Sequence, residues 1–169
     1  DVSMITASPV FLLSHITEVH DGVYNTDCSF RTKLSQDDLK RMNFTERMVA
    51  SKPPYLDSVV CINRLLTQLV DTILAKSADP IIVIAADHGS NFSRSSTSET
   101  AWIDPEERTA VFSAWRLPKR CASHIYDTMS NVNHFRAIIA CVTGEEPQFL
   151  EDIAYAGWSY TGVKRLAPR

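Results

Sequence analysis

Asp87-His88-Gly89 follows the run Ile81-Ile82-Val83-Ile84-Ala85-Ala86, so a carboxylate and an imidazole stand side by side at the end of a β-branched apolar segment. Both side chains are good ligands for a divalent cation such as zinc or manganese. Gly89 permits a sharp turn directly after them. The competing reading is an ordinary polar transition from strand to loop. A second apolar run, Pro9-Val10-Phe11-Leu12-Leu13-Ser14, ends at His15, and His20 lies five residues further on. Taken singly, these two are surface or loop histidines. Taken with Asp87 and His88, they could complete a site. Ser90, the nearest hydroxyl, reads as a cap or turn residue rather than a nucleophile.

The elements that would position these groups follow from periodicity. The run bounded by Pro80 and Gly89 reads as a strand buried on both faces, as in parallel sheets covered by helices. Between the two apolar runs, Tyr55 to Lys76 carries Val59, Ile62, Leu66, Leu69, Val70 and Ile73 at helical spacing. Pro53 and Pro54 fit the entry of that helix. Strand, helix and strand in this order predict a parallel pair, Val10–Ser14 beside Ile81–Ala86, joined by a right-handed crossover. Both carboxyl ends would then face one edge of the sheet, where such folds place their chemistry.

The remaining chain is read more coarsely. Residues 17 to 54 are polar, with a short helix from a Ser35 cap to Met42. Ser90 to Thr100 is a connector rich in Ser, Thr and Asn. Arg108 to Trp115 reads as a third strand. A last helix runs from a cap at Ser130 or Asn131 to Thr143, with Phe135, Ile138, Ile139 and Val142 inward and Gly144 as terminator. His134, early in that helix, reads as a packing or surface residue rather than a ligand.

Composition narrows the class. The 169 residues are 44% hydrophobic and 22% charged, as in globular proteins, and suffice for one domain with a core. The net charge is -3 with no basic stripe, which argues against a nucleic-acid partner. No uninterrupted apolar run approaches the roughly 20 residues that span a bilayer; the longest candidate, Tyr55 to Ala75, is broken by Asp57, Asn63, Arg64, Gln68 and Asp71. The start at Asp1 without Met suggests a piece of a longer protein. The four cysteines form no Cys-x-x-Cys pair, so a cysteine zinc site is not indicated. Cys61 and Cys141 fall in helix-like segments where buried free thiols are the default, and the redox compartment stays open. Two glycosylation sequons, at Asn43 and Asn91, carry little weight.

A long helix beginning near a Tyr, then an apolar strand, then Asp-His-Gly resembles the carboxyl-terminal half of sulfatase-like proteins of the alkaline phosphatase superfamily. Phe11-Leu12-Leu13-Ser14-His15-Ile16-Thr17-Glu18-Val19-His20 is similar to that family's strand followed by two histidines, although Val19 stands where the family has Pro. Glu107-Arg108-Thr109-Ala110-Val111-Phe112 resembles the next strand. Ser130-Asn131-Val132-Asn133-His134-Phe135-Arg136 is similar to a segment of membrane-anchored bacterial members. The resemblance covers most of the chain, and Asp-His-Gly is its specific motif.

The resemblance implies an α/β fold, a mostly parallel sheet with flanking helices forming part of an alkaline-phosphatase-like sandwich. Residues 1–169 would be a single domain, the carboxyl-terminal portion of a larger catalytic domain. It implies a metal-dependent hydrolase or transferase acting on phosphate or sulfate esters. Asp87 and His88 would hold a divalent metal, whether zinc, manganese, calcium or magnesium. His20 would act by the substrate, and His15 and Arg108 would support the site from behind. The family's nucleophile segment has no counterpart here, so the chain would be inactive alone and would need the missing amino-terminal part. The parent protein would be extracytoplasmic or periplasmic and membrane-anchored. The rival reading is a non-catalytic α/β interaction domain, in which Asp87 and His88 only satisfy backbone groups at a strand end.

Overall fold

The computed structural model describes residues 10–20, 22–32, 35–90, 92, 104–156 and 164–166. The chain divides into two compact units, Asp1–Ala78 and Asp79–Arg169.

The first unit is built on helix. A six-residue helix α1, Gln36–Arg41, starts at Ser35, whose hydroxyl accepts from the Asp38 N–H as expected of its cap. Helix α2 spans Phe44–Lys76, 33 residues, and so begins well before the expected Tyr55. The physical reason is a capping box: the Asn43 side chain accepts from the Glu46 N–H, and the Glu46 carboxylate accepts from the Asn43 N–H. Pro53 and Pro54 therefore lie inside the helix. They remove the bonds that would run to the carbonyls of Val49 and Ala50, but the strong start upstream and the long apolar repeat downstream carry the helix through. The Glu46–Lys76 stretch is long and apolar enough by composition to cross a membrane. Its side bears a polar turn, however: Asp57 is ion-paired with Arg31, and Ser58 bonds both the N–H and the carbonyl of Tyr24. A disulfide joins Cys28 to the fully buried Cys61.

The second unit contains the strands. Strand β1, Ile82–Ala85, pairs with β2, Ser113–Arg116, in register Ile82↔Arg116 to Ala85↔Ser113, and the pairing is antiparallel. Between them lies a short helix α3, Pro105–Thr109, capped by Asp104. After β2 come a 3₁₀ helix, Lys119–His124, and helix α4, Asn131–Thr143, ended by Gly144 in the left-handed conformation. A second two-stranded antiparallel pair, β3 (Tyr155–Ala156) with β4 (Lys164–Arg165), completes the described elements. A disulfide, Cys121–Cys141, ties the 3₁₀ helix to α4.

The core of this unit is small. Among the described residues, Pro118, Cys121, Ala137, Ala140 and Cys141 are its buried apolar residues, with Asn133 and His134 among them. Asn133 is wholly buried and fully used. Its amide donates to the Leu150 carbonyl (2.9 Å) and Asp152 Oδ1 (2.9 Å), and its oxygen accepts from the Leu150 N–H (2.9 Å). The Tyr126 hydroxyl donates to Asp152 at 2.6 Å. His134 is buried with its ring packed edge-on to Trp115, centroids 4.8 Å apart.

The expected α/β architecture is not what forms. Among the described residues the structure is mostly helical, 46% helix, and its paired strands are antiparallel rather than a parallel sandwich. Residues 10–17 form no strand. β1 is a strand where the apolar run predicts one, but its partner is the later segment Ser113–Arg116. An apolar run specifies that a strand must be covered and does not specify which neighbour pairs with it. The expected strand from Arg108 is instead helix α3 followed by a strand beginning at Ser113. Asp104-Pro105-Glu106-Glu107 supplies an N-cap, a proline in the first turn and acidic residues beside the positive helix end, and that local signal outweighs β propensity up to Thr109. On α4 the inward face also differs. Phe135, Ile139 and Val142 are 52%, 58% and 69% exposed, while Ala137 and Cys141 point inward.

Candidate functional site

The end of β1 is a turn held from several sides. Beyond Ala85, the Ala86 N–H donates to the Phe112 carbonyl (2.9 Å), and the Ala86 carbonyl accepts from the Asn131 side chain at the start of α4 (2.9 Å). Two residues later the Gly89 N–H donates to the Arg108 carbonyl at 2.7 Å, and Arg108 Nη1 donates back to the Gly89 carbonyl at 3.0 Å. The Glu107 carboxylate accepts from the Ser90 hydroxyl and from the Phe92 N–H (2.7 Å). Helix α3 thus clamps the segment that follows Asp87 and His88. Only glycine fits the clamp, because a Cβ at residue 89 would lie 2.0 Å from the Glu107 carbonyl oxygen.

Asp87 and His88 stand on this turn with their side chains available. The Asp87 carboxylate is 82% exposed and the His88 ring 39%. His88 Nδ1 lies 3.0 Å from the Gly89 carbonyl. A carbonyl can only accept, so Nδ1 carries a hydrogen, and Nε2 is the ring atom that faces Asp87. Nε2 is 3.5 Å from Asp87 Oδ2. With a proton on Nε2 the two atoms form an ion-paired contact, and without it they are two acceptors that a cation could bridge. Two ligands of a tetrahedral ion with bonds of about 2.1 Å stand about 3.4 Å apart, so the spacing suits a shared ion. Arg108 lies partly buried behind them. Burial lowers its pKa from the usual guanidinium value, and the Asp87 charge works against that shift; the group remains cationic.

Each expected site residue can now be placed. Asp87, His88 and Arg108 come together in the second unit, and Arg108 does so from helix α3 rather than from a strand. Ser90 is engaged by Glu107 and shapes the turn, as a turn residue should. His15 and His20 belong to the first unit, where the His20 N–H closes a turn on the Thr17 carbonyl (3.0 Å). The contacts of Glu107 and Asn131 with this turn were not read from the sequence. Glu107 was legible in principle, since an acidic residue three positions after an Asp cap marks a helix start, but its grip on Ser90 and Phe92 is a tertiary contact.

The expected metal-binding, sulfatase-like hydrolase centre is not what these residues build. Among the described residues no group of three or more His, Cys, Asp or Glu side chains could hold a metal ion. Asp87 and His88 are a pair, and a stable site needs four donors. The parallel sheet that would have converged further ligands on them is absent from the described elements. No protein-family model matches the chain, and neither a curated protein nor a solved structure matches it.

Proposed function

We propose that the Asp87–His88 turn is one corner of a site that handles a phosphate or sulfate ester, with the rest of the site supplied by other segments of the protein. The observation that supports this reading is the placement of His88 Nε2 3.5 Å from Asp87 Oδ2 on a turn clamped by α3. A divalent cation held there would neutralise the oxygens of an anionic ester. His88 is oriented by its Nδ1–H bond, as ring ligands usually are. The clamp fixes the backbone just after both residues, and Arg108 adds positive charge beside them. Among the described residues the hydroxyl nearest the pair, Ser90, is bonded to Glu107.

The test is calorimetric titration of the chain with zinc and with manganese ions. Weak binding that is lost in Asp87→Asn and in His88→Ala is expected, together with negligible turnover of aryl phosphate and aryl sulfate esters. Binding unchanged by both substitutions would overturn the reading.

A second reading, a non-catalytic interaction unit, is favoured by the exposed apolar line on α4. Val132, Ile139 and Val142 are 52%, 58% and 69% exposed at helical spacing. It predicts that Asp87→Asn leaves cation binding unaltered.

A further inference from the structure

We propose that the two disulfides are structural staples, one in each unit, and that the protein therefore matures and works in an oxidising compartment. All four cysteines of the chain are paired, and none is left free. The pairing is segregated. Cys28–Cys61 closes 33 residues within the first unit, and Cys121–Cys141 closes 20 within the second.

Three features mark the bonds as part of the architecture. First, the half-cystines are the core. Of the buried apolar side chains among the described residues, Cys61, Cys121 and Cys141 stand with Ile62, Pro118, Ala137 and Ala140. A core with so little aliphatic volume resembles those of small secreted domains, which rely on cross-links because burial alone does not suffice. Second, the local structure at Cys28 is built to present its sulfur. Cys28 holds a left-handed backbone, φ 69°, unusual for a residue with a side chain. The turn around it is fixed by the Asn25 N–H to the Ser29 carbonyl (2.9 Å), the Cys28 N–H to the Asn25 carbonyl (3.0 Å) and the Ser29 N–H to Asp27 (2.9 Å). Third, three of the four sulfurs are shielded: Cys61, Cys121 and Cys141 are 0%, 1% and 2% exposed. Buried bonds of this kind are structural rather than catalytic.

Forming each bond removes two protons and two electrons from a pair of thiols. A disulfide of the thiol–disulfide oxidoreductase class accepts them, its own S–S bond breaking to two thiols. Such bonds persist outside the reducing cytosol.

The test begins with the intact chain produced by secretion. It is alkylated with iodoacetamide under denaturing conditions, before and after reduction, and weighed. No adduct before reduction and four after it are expected, with peptide mapping giving Cys28–Cys61 and Cys121–Cys141. The double variants Cys28→Ser/Cys61→Ser and Cys121→Ala/Cys141→Ala should each show two adducts after reduction, because each staple forms without the other. Reduction of the wild-type chain should lower its urea midpoint and speed its proteolysis several-fold. Four adducts before reduction, pairing across the two units, or stability unchanged by reduction would overturn the proposal. The wild-type measurements decide the matter even if a variant fails to accumulate.

Discussion

Replacing Gly89 with Ala should be more damaging than its backbone conformation suggests. Gly89 does not need a left-handed backbone; Gly144 does, with φ 76°. A reading from dihedral angles alone would rank Gly144→Ala as the worse change. Space reverses the order. A Cβ at Gly144 meets nothing within 4 Å, so that variant bears only the left-handed strain, about 1 kcal/mol. A Cβ at Gly89 would stand 2.0 Å from the Glu107 carbonyl oxygen and 3.1 Å from those of Arg108 and Ala110, all backbone of α3 and its end. Real Cβ atoms keep about 3.0 Å, so α3 or the turn must retreat by about 1 Å. That shift breaks the Gly89 N–H bond to Arg108 (2.7 Å) and the Arg108 Nη1 bond to Gly89 (3.0 Å). The two bonds are worth about 1 kcal/mol each, and overpacking adds about 2 kcal/mol. The reduced freedom of the unfolded chain returns about 0.7 kcal/mol. The net loss is about 3 kcal/mol. Urea unfolding followed by the fluorescence of Trp115 in β2 would report it, with a midpoint lowered by about 2 M for a slope near 1.5 kcal/mol/M. Hydrogen exchange should quicken selectively at residues 87–90 and 105–110. A loss for Gly89→Ala below that for Gly144→Ala would refute the close-approach reasoning.

Other changes follow from the same structure. Asn133→Ala should cost about 2 kcal/mol in urea unfolding, because the wholly buried amide loses its bonds to the Leu150 N–H and carbonyl and to Asp152. His134 gives stability a pH dependence. Burial lowers its folded pKa below the ordinary 6.5, so the unfolded chain binds the extra proton first. Stability is complete above about pH 6.5 and falls as the pH drops from there through the lowered folded value; His134→Leu should flatten that slope in urea midpoints measured between pH 7.5 and 5. Asp152 behaves in the opposite sense to its burial. Desolvation pushes its carboxyl up, but hydrogen bonds from Tyr126, Ser130 and Asn133 together hold it below the usual range, so Asp152→Asn should make stability less sensitive to acid near pH 4. Reducing Cys121–Cys141 should destabilise the second unit by about 3 kcal/mol, from the entropy of a loop of its 20-residue separation.

Much of the local structure was written in the sequence. The Ser35 cap, the end of α2 at Lys76, the apolar strand at Ile82–Ala85, the start of α4 after Ser130 and its stop at Gly144 each depend on a few neighbouring residues, and each forms where those residues place it. Asp87 and His88 were legible for the same reason: they are local features at the end of a local run. Two misreadings were also local, in that the Asn43–Glu46 capping box and the Asp104-Pro105 helix start were present but outweighed by stronger apolar patterns nearby. What the sequence could not reveal was partnership. The strand at Ile82–Ala85 could pair with any extended segment, and the choice of Ser113–Arg116 in antiparallel register rests on contacts about thirty residues apart along the chain. Likewise four cysteines allow three pairings, and only the packing of the Cys28 turn on α2 and of the 3₁₀ helix on α4 selects one. The turn that carries Asp87 and His88 owes its shape to Glu107 and Arg108, side chains that reach it from a different helix. Local free energies decide elements because they act between neighbours in sequence. Pairing, cross-linking and the stiffness of a site are decided by groups that meet only once the chain has folded.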